Sequence, residues 1–266
     1  MPPVEERIAK AVREFPGRAG LYCQELDTGR EWAVRGEEPF EAASVIKLPI
    51  LVEVFRQLES GEAREDERFT IAKEDKLPSC GALNYLHTGL TVTLMDLAVL
   101  MIILSDNTAT NLLIRRLGME RINDTIRGLG MEATRLRRLL FDSEAAARGV
   151  KNTISPGEIG RLLAALYRGE VVSPAASARM LGILKDQRLN GKLPFWLDGK
   201  VACAHKTGED KNITHDVGIL YAPRPFVLCI CGDPVDAPAL NALMAQAARL
   251  LVQEQGVILG GEPPAF

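Results

Sequence analysis

The sequence has no surplus of basic residues and no long hydrophobic run. Lysine and arginine total 32 against 35 aspartate and glutamate residues, and the formal net charge of −3 argues against a nucleic-acid partner. The longest apolar run near the middle of the chain, residues 97–104, is far too short to span a bilayer. We therefore expect no nucleic-acid binding and no membrane span.

The amino terminus also lacks the pattern of a secretory signal. Residues 1–7 read Met-Pro-Pro-Val-Glu-Glu-Arg, with neither a basic start nor an uncharged apolar stretch. The five cysteines are an odd number, so at least one is unpaired within the chain, which favours a reducing compartment. We expect a cytoplasmic protein, or a periplasmic or extracellular one if an export signal has been removed.

Histidine is scarce, with three residues in the chain. His87 and His215 are isolated and lack the spacing of metal ligands. His205 directly precedes Lys206 on a predicted strand, so its side chain should face away from that lysine and pack. We therefore expect no metal and no organic cofactor.

Hydrophobic periodicity predicts strands toward both ends of the chain and helices between them. The predicted strands are 21–25, 31–34, 201–206, 216–221 and 226–231. The predicted helices are 4–15, 44–58, 93–104, 107–117, 121–127, 156–167, 174–185 and 237–254. This order predicts an α+β fold, with one antiparallel sheet of about five strands, flanking terminal helices and an inserted all-α half.

We predict one domain spanning residues 1–266. Residues 1–40 and 190–266 would form its α/β half, and residues 41–189 its mostly helical half. A cleft between two such halves is a usual place for a small-molecule site.

Three short motifs follow one another along the chain: Ser44-x-x-Lys47, Ser105-Asp106-Asn107 and Lys206-Thr207-Gly208. Composition alone gives a Ser-x-x-Lys string roughly once in a chain of this length. All three motifs in this order are rare by chance, and the set is similar to the signature of class A β-lactamases and penicillin-binding proteins.

The residue types of these motifs favour acyl transfer to a serine. A serine attacks an amide or ester carbonyl only if another group takes its proton. Ser44 and Lys47 are three residues apart and share a helix face, and Lys47 accepts a proton only if burial or a nearby cation lowers its pKa. Lys206 is the obvious second cation, so we expect its strand to lie beside the Ser44 helix.

The other motif residues have expected roles in the same reaction. Ser105 would relay the proton from Lys47 to the leaving group, and Asn107 would bind a substrate amide. Asp106 would hold its loop rather than take part in chemistry. The backbone N–H groups of Ser44 and Glu209 would form an oxyanion hole.

The chain resembles class A β-lactamases over nearly its full length. Besides the three motifs, the resemblance rests on residues 105–113, Thr134-Arg135-Leu136 and Thr214-His215-Asp216-Val217. It implies the α+β fold predicted above. It also implies a β-lactam whose carboxylate meets Lys206 and Thr207 beside Gly208.

The chain departs from that family where the family carries the glutamate that activates water for release of the acyl group. Arg138 stands where the family arginine would, but Leu140 occupies the expected glutamate position. Two interpretations follow. Either Asp142 or Glu144 serves as the water-activating base, with Asp142 as the preferred candidate, or the acyl group leaves slowly, as in penicillin-binding proteins.

A second departure follows Gly208, where Glu209 and Asp210 replace the small or hydroxyl residues usual in the family. Two acids near Lys206 weaken the attraction for a substrate carboxylate. We assign no arginine as an additional carboxylate anchor. Ordinary penicillins are therefore expected to be poor substrates.

These patterns predict a β-lactamase-like serine hydrolase that forms an acyl-enzyme on Ser44 and cleaves β-lactam or related amide bonds. Two alternatives stay open. One is a non-lactam amidase, esterase or D-peptidase on the same scaffold, and the other is a penicillin-binding or sensor protein that is acylated without turnover. We expect a monomer whose partner is a small-molecule substrate.

Overall fold

The computed structural model describes residues 2–261, and its largest sheet has five strands. The first residue and the last five of the predicted domain, 1–266, lie outside the described residues. In chain order the strands are β1 (Gly17–Glu25), β2 (Glu31–Val34), β3 (Phe40–Glu41), β4 (Arg68–Thr70), β5 (Thr91–Thr93), β6 (Thr153–Ile154), β7 (Cys203–Asp210), β8 (Ile213–Leu220) and β9 (Phe226–Val235).

The helices alternate with these strands and fill the middle of the chain. They are α1 (Val4–Arg13), α2 (Lys47–Glu59), α3 (Leu94–Ile103), α4 (Asn107–Leu117), α5 (Met119–Gly128), α6 (Ser143–Ala147), α7 (Pro156–Tyr167), α8 (Pro174–Lys185) and α9 (Ala237–Gln253). Two 3₁₀ turns cover Ala43–Ile46 and Lys73–Asp75. None of the helices within residues 2–261 has both the length and the apolar character needed to cross a bilayer.

The five-stranded sheet confirms the predicted α+β fold. Its strand order is β2-β1-β9-β8-β7, and every neighbouring pair is antiparallel. Strands from the two ends of the chain therefore meet in one sheet, with β7 at an edge. The short pairs β3–β6 and β4–β5 form separate two-stranded sheets that the periodicity did not predict.

The sheet separates two hydrophobic cores because successive side chains of a strand point to opposite faces. Leu228 and Ile230 of β9 belong to the core that α1 and α9 cover. Cys229 and Cys231 are fully buried on the other face, against the helical part of the molecule. The two cysteines, two residues apart on β9, therefore share one face of the strand.

Polar caps set where several helices begin. Thr93 accepts a hydrogen bond from the Asp96 amide at 3.1 Å, and the Asp96 carboxylate accepts one from the Thr93 amide at 2.8 Å. This capping box starts α3 at Leu94, close to the start of the predicted helix 93–104. Ser155 likewise caps α7, which packs directly on β1 and β9.

The predicted helix 44–58 is divided in the structure. Ala43–Ile46 forms a 3₁₀ turn, and the α-helix begins only at Lys47. Pro49 explains the division, because it has no N–H to bond the carbonyl of residue 45 in an α-helical pattern. The proline is tolerated because it falls in the first turn of α2.

Candidate active site

Ser44 lies in the 3₁₀ turn that precedes α2 and faces a cavity of about 870 Å³. Ser105, Asn107 and Thr207 line the same cavity, so the three motifs meet there. Ala43, directly before Ser44, has a φ of 41°, which is uncommon for a residue with a side chain. The backbone is therefore held in an unusual conformation beside the candidate nucleophile.

Gly208 brings the edge strand β7 against the turn that carries Ser44. A Cβ atom at Gly208 would lie 3.1 Å from Cγ2 of Val45 and 3.0 Å from Cδ2 of His215. Both distances are tighter than ordinary van der Waals contact, so a side chain here would require Val45 or His215 to shift by a few tenths of an ångström. The prediction that the Lys206 strand lies beside the Ser44 segment is confirmed.

Asp106 holds the loop between α3 and α4. Its Oδ1 accepts a hydrogen bond from the Ala109 amide at 2.9 Å and so caps α4. Its Oδ2 accepts bonds from the amides of Ala82 at 2.7 Å and Leu83 at 2.9 Å. The carboxylate is thus engaged with backbone, as predicted, next to Ser105, whose φ is 53°.

The side chain of Lys47 is fully buried under the cavity. Its Nζ donates to the Ser105 carbonyl at 2.8 Å, to the Ser105 hydroxyl at 3.0 Å and to Oδ1 of Asn107 at 2.9 Å. Burial, followed by the nearby charge of Lys206, holds the pKa of Lys47 well below its usual value. The amine therefore loses its own proton more readily than an ordinary lysine, as a proton acceptor must.

Lys206 meets Lys47 at the same hydroxyl. Its Nζ donates to the Ser105 hydroxyl at 3.1 Å and to the Thr207 carbonyl at 2.7 Å. Burial lowers the pKa of Lys206 to about 7, although the charge of Asp216 acts in the opposite direction. The two lysines and Ser105 form one polar cluster beside Ser44.

Ser44 and Lys47, which the sequence places on one helix face, make no direct side-chain hydrogen bond in the described part of the chain. Within residues 2–261, the side-chain hydrogen bonds of Lys47 go to Ser105 and Asn107, and none joins it to the Ser44 hydroxyl. The acceptors of residues 105–107 converge on the lysine and take its donors. Asn107 correspondingly uses its carbonyl oxygen on Lys47, and its Nδ2 reaches the Pro78 carbonyl at 3.4 Å.

Leu140, at the position where the resemblance places a water-activating glutamate, lines the cavity. Its backbone is fixed by Asn111, which accepts from the Leu140 amide at 2.9 Å and donates to the Leu140 carbonyl at 2.9 Å. The next residue, Phe141, has a φ of 59° and also lines the cavity. This wall therefore presents apolar side chains on a backbone held in place.

Asp142 and Glu144, the two acids considered as replacements for the missing glutamate, have different surroundings. Asp142 lines the cavity and caps α6, since its Oδ1 accepts from the Ala145 amide at 2.9 Å. Glu144 is exposed on α6 and is absent from the described lining of the cavity. The catalytic role of Asp142 stays a prediction.

Glu209 and Asp210 line the cavity as exposed acids, beside a cation that the sequence analysis missed. Lys192 is 5% exposed, lines the same cavity and donates to the Gly208 carbonyl at 3.0 Å and the His215 carbonyl at 3.3 Å. Its Nζ is 3.5 Å from the Glu209 carboxylate. A single lysine in a segment without periodicity carries no sequence signal.

Two of the histidines, His205 and His215, are buried and hydrogen-bonded within the fold. His215 accepts a bond from the Gly232 amide at Nδ1 and donates from Nε2 to the Glu41 carbonyl at 2.7 Å. Burial lowers its pKa to about 4. His205 is buried away from the cavity lining, as strand alternation predicts, and contacts Asp216 and Asn190.

Comparison with known proteins identifies relatives that match nearly the whole chain. A sequence model described as the Beta-lactamase enzyme family matches residues 3–255. A β-lactamase of Streptomyces fradiae is 32% identical over 268 residues, covering 94% of this chain and 85% of that protein.

Solved structures agree with this match. A β-lactamase from Sphaerobacter thermophilus has a TM-score of 0.88 and 28% identity, covering 95% of this chain and 97% of that one. A variant of PBP-A with leucine replaced by glutamate, solved as an acyl-enzyme complex with penicillin G, has a TM-score of 0.85 and 32% identity. The alignment with that variant covers 96% of this chain and 98% of the other.

Proposed function

The chain belongs to the beta-lactamase enzyme family, and on that premise we propose that it is acylated on Ser44 by β-lactams and releases the acyl group slowly. The observation that carries this proposal is the pair of buried lysines that share the Ser105 hydroxyl beside the Ser44 cavity. Burial and a neighbouring charge in such a cluster lower the pKa of an amine, so that the amine can take up a proton.

Acylation needs the Ser44 oxygen to bond the lactam carbonyl carbon while the proton leaves for Lys47. We assign this transfer to the substrate complex, because catalytic hydrogen bonds often tighten only there. The carbon–nitrogen bond of the lactam then breaks. The leaving nitrogen takes the proton through Ser105, which contacts Lys47 at 3.0 Å.

The carboxylate of the substrate belongs at the β7 side of the cavity. The Lys206 ammonium and the Thr207 hydroxyl are the groups of the third motif that favour an anion there, and the Lys192 ammonium adds a further cation. Glu209 and Asp210 oppose this attraction, but both side chains are exposed and solvent screens their charges. Binding of the carboxylate is therefore favourable but weakened.

Slow release follows from the part of the cavity wall that Leu140 forms. Water must be activated by a base within hydrogen-bond reach to attack the acyl-enzyme. Leu140 offers no such group, and its backbone is held on both sides by Asn111. The acyl-enzyme therefore persists longer than in an enzyme with a glutamate at this position.

One experiment tests the proposal. The purified protein is mixed with a chromogenic cephalosporin, and product formation is followed together with the intact mass. We expect a burst of one equivalent, a mass increase equal to the bound acyl group, and slow turnover afterwards. Ser44→Ala should abolish the burst, whereas Ser60→Ala, at the exposed end of α2, should retain it.

Other outcomes would contradict distinct parts of the proposal. Fast steady turnover without a lasting adduct would mean that release is not slow. Absence of reaction with the cephalosporin, together with cleavage of simple esters, would identify a non-lactam hydrolase.

A further inference from the structure

Lys192 is a buried ammonium held by carbonyl groups of two different strands. It bonds the Gly208 carbonyl of β7 and the His215 carbonyl of β8, and it lines the cavity near Lys206. Its charge is felt at Lys206, whose pKa it lowers. Lys192 is therefore placed to attract the same substrate carboxylate as Lys206.

The segment that carries Lys192 has little regular structure of its own. Residues 186–192 contain no helix or strand between α8 and β7. A chain segment of this kind keeps a lysine in place only through side-chain and backbone bonds to its surroundings. The position of Lys192 thus depends on contacts outside the segment.

A closed ring of hydrogen bonds supplies those contacts on both sides of Lys192. Before it, Oδ1 of Asn190 lies 3.0 Å from Nε2 of His205. After it, the Leu193 amide donates to Oδ2 of Asp216 at 3.0 Å. The ring is completed between β7 and β8, where Nδ1 of His205 lies 2.8 Å from Oδ1 of Asp216.

The two central members of the ring are almost fully buried. His205 is 1% exposed and Asp216 is 0% exposed. Neither residue lines the cavity, so neither contacts a substrate bound there. Removal of the His205 side chain would free the Lys192 segment without removing a group that contacts the substrate.

We propose that His205 is a positioning residue for substrate-carboxylate recognition: by bridging Asp216 and Asn190, it holds residues 190–193 so that the Lys192 ammonium stays in the cavity wall. This inference rests on the proposed acylation by β-lactams, because it assigns the carboxylate site of that reaction. The anionic group of the substrate is recognised through a residue that never touches it.

The test compares two substrates that differ at one carboxylate group, a chromogenic cephalosporin and its methyl ester. For each variant, the second-order rate constant of acylation is measured with both, and their ratio is the readout. His205→Ala and Asn190→Ala should lower the acid-to-ester ratio about tenfold, as expected when a hydrogen bond to a charged group weakens. The ester rate should stay near that of the parent protein.

A double-mutant cycle adds a second readout. Lys192→Met should lower the same ratio, and adding Asn190→Ala to it should change the ratio no further, since both act through one ammonium. Asn190 is exposed, so its variant keeps the test available if His205→Ala does not fold. His87→Ala, an exposed histidine outside the ring, is the matched control and should leave the ratio unchanged.

Several results would overturn the inference. An unchanged ratio in folded Asn190→Ala and His205→Ala, a parallel loss with both substrates, or additive effects with Lys192→Met would each exclude this positioning role. Such results leave acylation on Ser44 intact. If the parent protein is not acylated by the cephalosporin or its ester, the proposed function itself fails.

Discussion

Lys47 and Lys206 donate hydrogen bonds to one oxygen, the hydroxyl of Ser105, at 3.0 and 3.1 Å. Two ammonium groups so close together repel each other, so at least one of them loses its proton more readily than in water. This arrangement gives the site both an acceptor for the Ser44 proton and a cation for the substrate. Its charge state should therefore depend on pH near neutrality.

The first prediction concerns that pH dependence. The pKa of Lys206 is about 7, so Lys206 is charged below this pH and neutral above it. Between about pH 6 and pH 8 the charged fraction falls about tenfold, and acylation by a carboxylate-bearing cephalosporin should fall relative to its methyl ester. Taking the ratio of the two substrates cancels the titration of Lys47. A ratio that rises or stays constant over this range would contradict the assignment.

The second prediction concerns Leu140. Leu140→Glu places a carboxylate on the cavity wall, and a positioned general base contributes about a hundredfold or more to a rate. We expect release of the acyl group to accelerate by about that factor, measured as decay of the adduct mass. Leu140→Gln introduces a side chain of nearly the same shape as glutamate but without the basic carboxylate, and it serves as the control. Equal rates for the two variants would show that release is not limited by a missing base at this position.

The third prediction concerns Asp142, the acid that we expect to support the remaining slow release. Asp142→Asn keeps a side-chain oxygen that can cap α6 but removes the carboxylate. We expect it to lengthen the lifetime of the acyl-enzyme about tenfold or more, whereas Glu144→Gln leaves the lifetime unchanged. If Asp142→Asn matches the parent protein, Asp142 is only a helix cap.

Much of the fold follows from periodicity in the sequence. The predicted limits of helices 107–117, 156–167 and 174–185 agree with the structure, because a polar cap or a proline marks each start. The short pair β3–β6 carries no such signal, since two residues cannot show a period. Strand β7 also runs on to Asp210, past its predicted end, because pairing with β8 compensates for its polar residues.

The residues of the site that the sequence predicted with support from the structure are those of the three motifs. Ser44, Ser105 and Lys206 meet as expected because each motif lies on a different element that converges on the cavity. Lys192 and its ring to His205 and Asp216 depend on tertiary contacts between a loop and two strands. No local pattern reports such contacts.

The fourth prediction concerns stability. His215 is fully buried, and its pKa of about 4 lies below the unfolded value of 6.5. The unfolded chain therefore binds a proton more readily, so this histidine's stabilising contribution is complete above about pH 6.5 and is lost as pH falls toward 4. The loss amounts to about 3 kcal/mol. Denaturant unfolding of His215→Asn should show a smaller decline over this range than the parent protein.

The control for that measurement is His87→Asn, because His87 is exposed. Its decline in unfolding free energy should match that of the parent protein. If His215→Asn shows the same decline as well, His215 does not carry the effect.

The most direct test of the central claim, that Ser44 is the nucleophile, is a peptide map of the protein after brief reaction with a cephalosporin. The cavity also holds an exposed thiol, Cys80, which is the chemically plausible competitor. We predict that the added acyl mass lies on the peptide containing Ser44 and is absent from the Ser44→Ala protein. An adduct located on Cys80 that persists in Ser44→Ala would contradict the account.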